Sequence, residues 1–562
     1  MHIFQTRYLV WLCSLSTATF VLAQPLNPTG NPLSTLPAVT APQPQVPSAP
    51  PPQADATLQM TKSLQPKLDL STQIATSRID ISGVNALPFA DVAALFQPLS
   101  GQIVTIEQIA LAVQQATQMY QKAGFPLSFV YLPEQSFDQG IVRVIAVEGH
   151  ASQVHVVGDM GKSGQLLAEI TQPIVESKPL QADVFTRQTL LMARMLNLKV
   201  GAQIAPPTTT DGATPLILTV KREPVVFNLT GDFRQDDPKA VANLTLNDPL
   251  WGGSQWQFTA LLDKPDEERF VSATLNQWLN ANGTTLRVGA SDFKGQDNFA
   301  GNALKFTTSQ RKVDINVMHP LSLTATGSTT IGATLFGLNY ARQYNFPEFG
   351  LTFDDEEKVR AIQAHWIWQR TGKQSAQNAS VTVTQGLNAL GAGPKQSPGI
   401  PANPAKFDFT RINADYDFRW RFANKFGAAF GIGGQFAADI LPTSERVSFG
   451  GSRFGRAYLP GEAAGDQGWG ASVELNRMFA LGNSKWVKTL EPYLLYEDAK
   501  TSFHSDAYTG QRLKSGTLGL RLSDQRYYAL DLSVSKPFGD KSSYNPDQKL
   551  RYTLSLTYQL DL

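Results

Sequence analysis

The chain's conventional ligands and nucleophiles are few: six histidines (His2, His150, His155, His319, His365, His504) and one cysteine, Cys13. His150 and His155 lie five residues apart with no carboxylate pattern beside them. A metal site needs three or four convergent donors, so that spacing is too little. The run Gly450-Gly451-Ser452-Arg453-Phe454 fails as a nucleophile elbow, because Phe454 stands where the second outer glycine must be. Gly431-Ile432-Gly433-Gly434-Gln435-Phe436 fails the dinucleotide fingerprint and lies in strand-like sequence. No nucleophile–base pair stands out. The reading is a protein with no enzymatic activity, no cofactor and no metal. What does stand out is glycine density around one arginine: Phe449-Gly450-Gly451-Ser452-Arg453-Phe454-Gly455-Arg456-Ala457-Tyr458, then Gly465-Asp466-x-Gly468. Such density implies a structured loop with positive φ or close packing.

The elements that must position this loop follow from periodicity. From about residue 225 the helical period disappears and alternation takes over. Leu550, Tyr552, Leu554, Leu556, Tyr558, Leu560 and Leu562 occupy every second position up to the last residue. Tyr528, Leu530, Leu532 and Val534 alternate with Ala529, Asp531, Ser533 and Ser535. Tyr416, Phe418, Trp420 and Phe422 do the same, as do Trp256, Phe258, Ala260 and Leu262. One apolar and one polar face suits a soluble sandwich or a membrane barrel. Strands of ten residues or more, bracketed by aromatics, select the barrel. About sixteen antiparallel strands fit between 224 and 562, roughly 21 residues each with its connection, an even count of the kind outer-membrane barrels have.

Upstream, two α/β units precede the barrel. Strand 77–84, helix 89–96, a helix starting at Thr105, and strands 127–132 and 141–147 give the order β-α-α-β-β. Strand 153–157, helices 166–175 and 182–195, and strands 198–205 and 215–221 repeat it, which marks tandem modules. The expected fold is therefore α+β tandem modules over 77–150 and 151–223, followed by a transmembrane antiparallel β-barrel of about 16 strands over 224–562.

Bulk numbers fit only once averaged over faces. The 562 residues suggest three or four domains, and 48 Lys+Arg against 47 Asp+Glu leaves a net charge of +1. That excludes a strongly basic nucleic-acid binder, so no nucleic-acid partner is expected. Mean hydropathy of -0.18 describes an alternating barrel as well as a soluble protein. Residues 1–23 read as a secretory signal peptide cut after Ala23, which would remove Cys13. Residues 24–76 form a Pro-rich tail, with 55–65 as a short helix ended by Pro66.

The modules resemble the polypeptide-transport-associated (POTRA) domain. The first resembles the version in two-partner secretion transporters of the ShlB/FhaC/HecB kind, through Tyr120-x-x-x-Gly124-Phe125, Leu132-Pro133-x-Gln135, Gly140 and Val147-Glu148-Gly149. The second copy matches less well, with Asn197-Leu198-Lys199-Val200-Gly201 where the family has an Asn-Asp-x-Pro-Gly-like turn. The resemblance implies that Tyr120, Gly124, Phe125, Pro133, Gln135, Glu148 and Gly149 belong to a partner-binding module. The glycine-rich segment near 449–468 resembles the hallmark loop of the wider outer-membrane assembly and secretion superfamily, departing from it at Gly455 and Ala457. That resemblance implies an inward loop with Gly450, Gly451, Arg456 and Tyr458, whose arginine pairs with an aspartate in a Phe-x-Asp-x-Gly motif. Tyr496-Glu497-Asp498-Ala499-Lys500 is the matching stretch, so Asp498 is the implied partner, with Glu497 as a rival carboxylate. A guanidinium inside a barrel needs a fixed acceptor in any case, and an Arg–carboxylate pair is directional enough to hold a long loop.

The implied function is export of a large secreted partner protein across the bacterial outer membrane, with the modules in the periplasm. The implied surroundings are outer-membrane lipid and, during biogenesis, the barrel-assembly machinery. An assembly factor of the same superfamily and a plain porin are the alternatives. The porin would not need two modules, and assembly factors usually carry more of them. The cargo stays open among adhesin, cytolysin, growth-inhibition toxin and haem-acquisition protein. Family members often place an N-terminal helix in the pore, for which 55–65 is the only short candidate.

Overall fold

The computed structural model describes residues 55–58, 70–195, 198–234, 238–262, 267–299, 304–398, 402–422, 425–482, 484, 486–541 and 545–561. The segment read as a signal peptide, 1–23, and most of residues 24–76 lie outside them. Strand β1 (Asp55–Leu58) opens the described chain. The helix expected over 55–65 is thus a strand at 55–58, and 59–65 fall outside the described residues. Its cause is remote: β1 pairs in parallel with residues 201–204 of the second module, a contact that local helix propensity does not register.

The first module contains β2 (Gln73–Ala75), β3 (Arg78–Ser82), α1 (Phe89–Phe96), β4 (Ile103–Thr105), α2 (Ile106–Lys122), β5 (Phe129–Tyr131) and β6 (Ile141–Val147). Its sheet runs β3-β6-β5, and β2 pairs with β4 as a separate ribbon. Thr105 caps α2 in a reciprocal capping box with Gln108, worth about 1 kcal/mol. The buried face of α2, with Ile109, Val113, Ala116 and Tyr120, closes over Val142 and Val144 of β6.

The second module contains β7 (His150–Gly158), α3 (Gly164–Glu176), α4 (Ala182–Ala193), β8 (Leu198–Ile204) and β9 (Ala213–Arg222), with sheet order β1-β8-β9-β7. Its core does not stop at the module. Trp278 and Leu323, from the ends of two barrel strands, pack into the same cluster as Leu167, Ile170 and Leu191. Lys162 donates to the carbonyls of Pro249 and Leu250 at 2.7 and 3.1 Å, and Ser163 donates to Asp248 at 2.7 Å. These contacts seat the module on one mouth of the barrel.

The barrel follows two residues after β9. Its strands are β10 (Val225–Arg234), β11 (Lys239–Asn247), β12 (Ser254–Leu261), β13 (Glu268–Trp278), β14 (Thr285–Phe299), β15 (Leu304–Thr324), β16 (Gly327–Phe346), β17 (Leu351–Thr371), β18 (Ser375–Gly386), β19 (Gly393–Gln396), β20 (Thr410–Arg421) and β21 (Phe426–Ala437). A loop hairpin, β22 (Val447–Phe449) with β23 (Ala463–Gly465), intervenes. Then come β24 (Gln467–Arg477), β25 (Phe479–Ala480), β26 (Thr489–Ser502), β27 (Arg512–Ser523), β28 (Tyr528–Pro537) and β29 (Arg551–Asp561). Sixteen strands make the wall, with β19 and β25 as short extra pieces, and β10 pairs with β29 to close it. Closure removes every sheet edge, as hydrocarbon requires. Phe258, Trp366, Trp420, Trp469, Tyr496 and Tyr552 stand exposed on the outer wall. No described helix is long and apolar enough to cross a membrane.

Candidate functional site

The connection between β21 and β24 turns back into the barrel and fills part of it. Glycine permits the turn. Gly450 sits at φ +111°, and a Cβ there would lie 2.1 Å from the Leu459 carbonyl oxygen. The Gly451 N–H donates to the Gly455 and Tyr458 carbonyls, both at 3.1 Å. The barrel wall is cut away to receive the loop. A Cβ on Gly470 would meet the Phe454 ring at 2.4 Å, and one on Gly433 would meet Asp415 and Arg453. The glycine run that failed as a dinucleotide fingerprint is therefore part of the loop's seat. Phe449, Phe454, Ala457, Tyr458 and Ala463 then pack against Ala499 and Leu513 of the wall. At about 1.5–3 kcal/mol for each large side chain buried, the three aromatics contribute on the order of 5 kcal/mol to docking. The Tyr458 hydroxyl accepts from the Gly539 N–H at 3.0 Å, tying the loop to the connection after β28.

Arg456 lies in the lumen beside β26 and β28, and its partner is not Asp498. Its guanidinium donates to Asp531 at 3.2 Å and to the Tyr493 hydroxyl. Its backbone N–H donates to Glu497 at 2.7 Å, and Ser515 donates to the same carboxylate oxygen at 2.8 Å. Asp498 pairs instead with Arg512 at 2.8 Å and Lys514 at 3.9 Å. The reason is parity. Successive strand residues point to opposite faces, so Asp498 shares the outer face with exposed Tyr496, while Glu497 and Tyr493 face the lumen. The motif fits one residue earlier, as Leu495-x-Glu497-x-Ala499, with Ala499 fully buried under the loop.

Around Arg456 the lumen is densely ionic. Tyr493 donates to Asp531 at 2.7 Å and lies over Gly519, whose missing side chain leaves room for the ring. Arg521 grips Glu474 with two bonds of 2.7 Å, reaches Glu491 at 3.0 Å and stacks 4.0 Å from the Tyr493 centroid. Beside the loop remains a cavity of about 540 Å³ that Asp415, Asp417, Arg419 and Glu474 help to line. At the outer end Asp466, fully buried, accepts from the Leu441 and His504 N–H groups, both at 2.9 Å. The connection from β18 to β20 also folds inward, placing Phe407 and Phe409 with Leu441 against Phe336, Leu338 and Val359. The opposite wall mixes uncharged and paired groups: Asn243–Thr259, Gln255–Asn247, Asn316–Thr334 and Thr334–His365 bonds run along it beside the ion pairs Lys239–Glu268 and Arg287–Asp314, both at 2.6 Å. Neither Asp531 nor this second plug has a motif signal. Asp531 alone was visible, as an inward carboxylate in an alternating strand.

The module residues singled out from sequence serve the modules' own cohesion. Tyr120 is fully buried and donates to Glu148 at 2.9 Å, and Glu148 also accepts from the Asn85 and Ala86 N–H groups at 2.7 Å. Burial first, and then the neighbouring carboxylate, push the Tyr120 hydroxyl well above its ordinary pKa. Phe125 meets Tyr120 edge-on at 6.4 Å. Gln135 pairs with the Arg143 N–H at 2.8 Å and carbonyl at 2.9 Å, acting as a one-residue strand beyond β6, and Pro133 sits in the same turn, half-buried. Gly124 and Gly149 join the modules: their carbonyls accept from Ala182 and Leu180 at 2.9 and 2.8 Å. A Cβ on Gly149 would meet the Leu127 carbonyl at 2.5 Å. All seven thus take part in the module's own packing and hydrogen bonding, with Tyr120 and Gly149 buried and the other five partly exposed. Among the described residues no cluster of His, Cys, Asp and Glu could hold a metal ion.

Comparison with known proteins agrees with this architecture. Residues 74–149 match the POTRA domain, ShlB-type, and residues 244–522 match the haemolysin secretion/activation protein family ShlB/FhaC/HecB. The heme/hemopexin transporter protein HuxB of Haemophilus influenzae is 21% identical over 496 residues, 83% of each chain. Among solved structures, CdiB from Escherichia coli superposes with a TM-score of 0.65 at 16% identity, covering 89% of this chain and 93% of that one. BamA from Haemophilus ducreyi lacking POTRA domains 1–3 gives 0.51 at 13% identity, covering 87% and 100%.

Proposed function

The chain belongs to the ShlB/FhaC/HecB family of haemolysin secretion/activation proteins, and on that premise we infer that it is an outer-membrane transporter that captures a large secreted partner in the periplasm and passes it out through its barrel. The observation that carries this reading is the barrel interior. A wall from β11 to β18 that mixes amide and hydroxyl side chains with the ion pairs Lys239–Glu268 and Arg287–Asp314 faces a more densely charged wall on which the inward loop is docked. The uncharged polar groups of that wall offer a passing polypeptide many weak, exchangeable hydrogen bonds, and its charges are already paired with one another. The docked loop would have to yield, or share the lumen, for a chain to pass.

Recognition is proposed to use sheet edges, where an extended segment adds as a strand and main-chain bonds supply affinity. The β8 edge already accepts β1 in this way, so the second module's sheet can take a parallel strand. Residues 1–23 are proposed as the cleaved export signal, and the cell's barrel-assembly machinery as the agent that inserts the barrel into lipid. No catalytic step is proposed. The test is co-expression with the large exported product of a neighbouring gene. Surface appearance of that product should depend on this chain. Loss of other outer-membrane barrels on its depletion, with no exported product affected, would overturn the reading in favour of an assembly factor.

A further inference from the structure

The lipid-facing wall carries a charged cluster outside the lumen. Outward positions on three adjacent strands are apolar from the module-bearing mouth upward: Leu275, Ala273 and Val271 on β13, Val288 and Ala290 on β14, and Val317, Ile315 and Val313 on β15. Their register pairs them across the strands. The next outward positions are Arg269, Asp292 with Lys294, and Arg311. Asp292 accepts from Arg269 at 2.8 Å and from Arg311 at 2.9 Å. Lys294 stands opposite Arg269, exposed and without an ion pair among the described residues. One carboxylate so holds two guanidiniums side by side. The side chains of Arg269 and Arg311 are still 54% and 78% exposed, and three cations against one anion leave the cluster positive. Two strands further on and on the same face, Lys358 lies in register with Arg311, and Arg360 lies one outward position nearer the modules, level with Val313.

Below this cluster the wall is hollowed. Small residues on neighbouring strands, Ala242, Ala260, Ala273 and Ala290, form the floor of an outer-wall groove of about 770 Å³, and Asp292 and Arg311 stand at its rim. The modules lie at the opposite mouth, so this rim is the extracellular one. An apolar groove ending in fixed guanidiniums fits one kind of molecule: an acyl chain joined to a phosphate.

We propose that the groove and the Arg269–Asp292–Arg311–Lys294 cluster form a binding site for a phosphorylated lipid of the outer leaflet. The acyl chain lies over the alanine floor. The phosphate takes guanidinium N–H donors in the forked geometry that arginine offers and lysine does not, while Lys294 adds charge. The proposal rests on the barrel's placement in the outer membrane and not on the export reading.

The test uses the full chain purified in detergent and mass spectrometry of the intact complex. The probes are bisphosphorylated lipid A, its dephosphorylated form and inorganic phosphate. Retention of the phosphorylated lipid over the dephosphorylated one is expected. R269Q/K294Q/R311Q should weaken it on the order of a hundredfold, at roughly fivefold per surface cation. A290F, which fills the groove and leaves the charges, should weaken it too. Equal retention of both lipids, or unchanged retention by the triple variant, overturns the site. Displacement of the lipid by millimolar inorganic phosphate together with an inert A290F would make it a free-anion site and overturn the lipid assignment. If the triple variant fails to show heat-modifiable barrel mobility, R311Q and A290F decide the matter.

Discussion

Replacing Asp531 by asparagine separates the lumen acceptor of Arg456 from the motif aspartate, Asp498. Asp531 accepts from Arg456 at 3.2 Å and from Tyr493 at 2.7 Å, with Arg521 3.6 Å away. Asparagine keeps the shape and the Tyr493 bond but removes the charge facing two guanidiniums. A hydrogen bond to a charged group contributes about 1.5–3 kcal/mol. The pair is buried but not sealed, with 18% and 10% of the side chains exposed, so water screens part of it and about 2 kcal/mol is the working figure. At 1.4 kcal/mol per decade, that is about a 30-fold shift from docked to undocked loop. The readout is thiol labelling. Cys13 is the chain's one cysteine, so in a Cys13→Ser background a cysteine at Ala457, which is fully buried, reports undocking alone. A membrane-impermeant maleimide on intact cells should label Ala457→Cys about 30 times faster when Asp531→Asn is added. Asp498→Asn, whose partners Arg512 and Lys514 lie outside the lumen network, should change the rate less than twofold. Equal acceleration by both variants, or none by Asp531→Asn, would refute the parity argument and the lock with it.

Three further outcomes are expected. Arg456→Ala should lower secretion of the partner while the barrel still inserts at normal level, checked by surface blot and heat-modifiable mobility; full secretion would remove the loop from the mechanism. Deleting residues 77–222 should abolish export yet leave channel conductance in planar bilayers, and export by the truncated protein would show that the modules are not the receptor. In the first module, the raised Tyr120 pKa means the unfolded hydroxyl ionises first, so stability holds below pH 10 and falls as pH rises past it. Hydrogen exchange of the α2 amides should show that decline, and Tyr120→Phe should flatten it.

Much of the fold was legible because two periods dominate the chain. Alternation identified the barrel, its approximate strand number and the outer face through residues such as Trp420 and Tyr552. The same alternation already assigned Asp498 to the outside, since Tyr496 precedes it by two. A motif template overrode that parity and chose the wrong carboxylate. Asp531 appeared in the sequence only as one inward residue among several, because nothing local ties it to Arg456, 75 residues away. Strand β1 was read as a helix from residues that favour helices, while its pairing with β8 depends on chain some 140 residues downstream. The inward placement of Phe407 and Phe409 was illegible for the same reason: a loop's destination is set by the wall it meets.

The link between module and barrel has a mechanical meaning. Only Glu223 and Pro224 separate β9 from β10, and both are held, by Asn247 Nδ2 on the Glu223 carbonyl at 2.6 Å and Asn247 N on that of Pro224 at 2.8 Å. There is no slack to absorb a load. A pull on the second module along β9 passes directly into the strand that closes the cylinder. That strand is bonded on both sides, to β11 through eight residue pairs and to β29 through nine. Tension along a strand loads such ladders in shear, with the bonds sharing the force together, whereas a sideways tug would open them one by one. The closing seam is therefore strongest along the axis in which a captured chain would drag on the module, and weakest to a force across it.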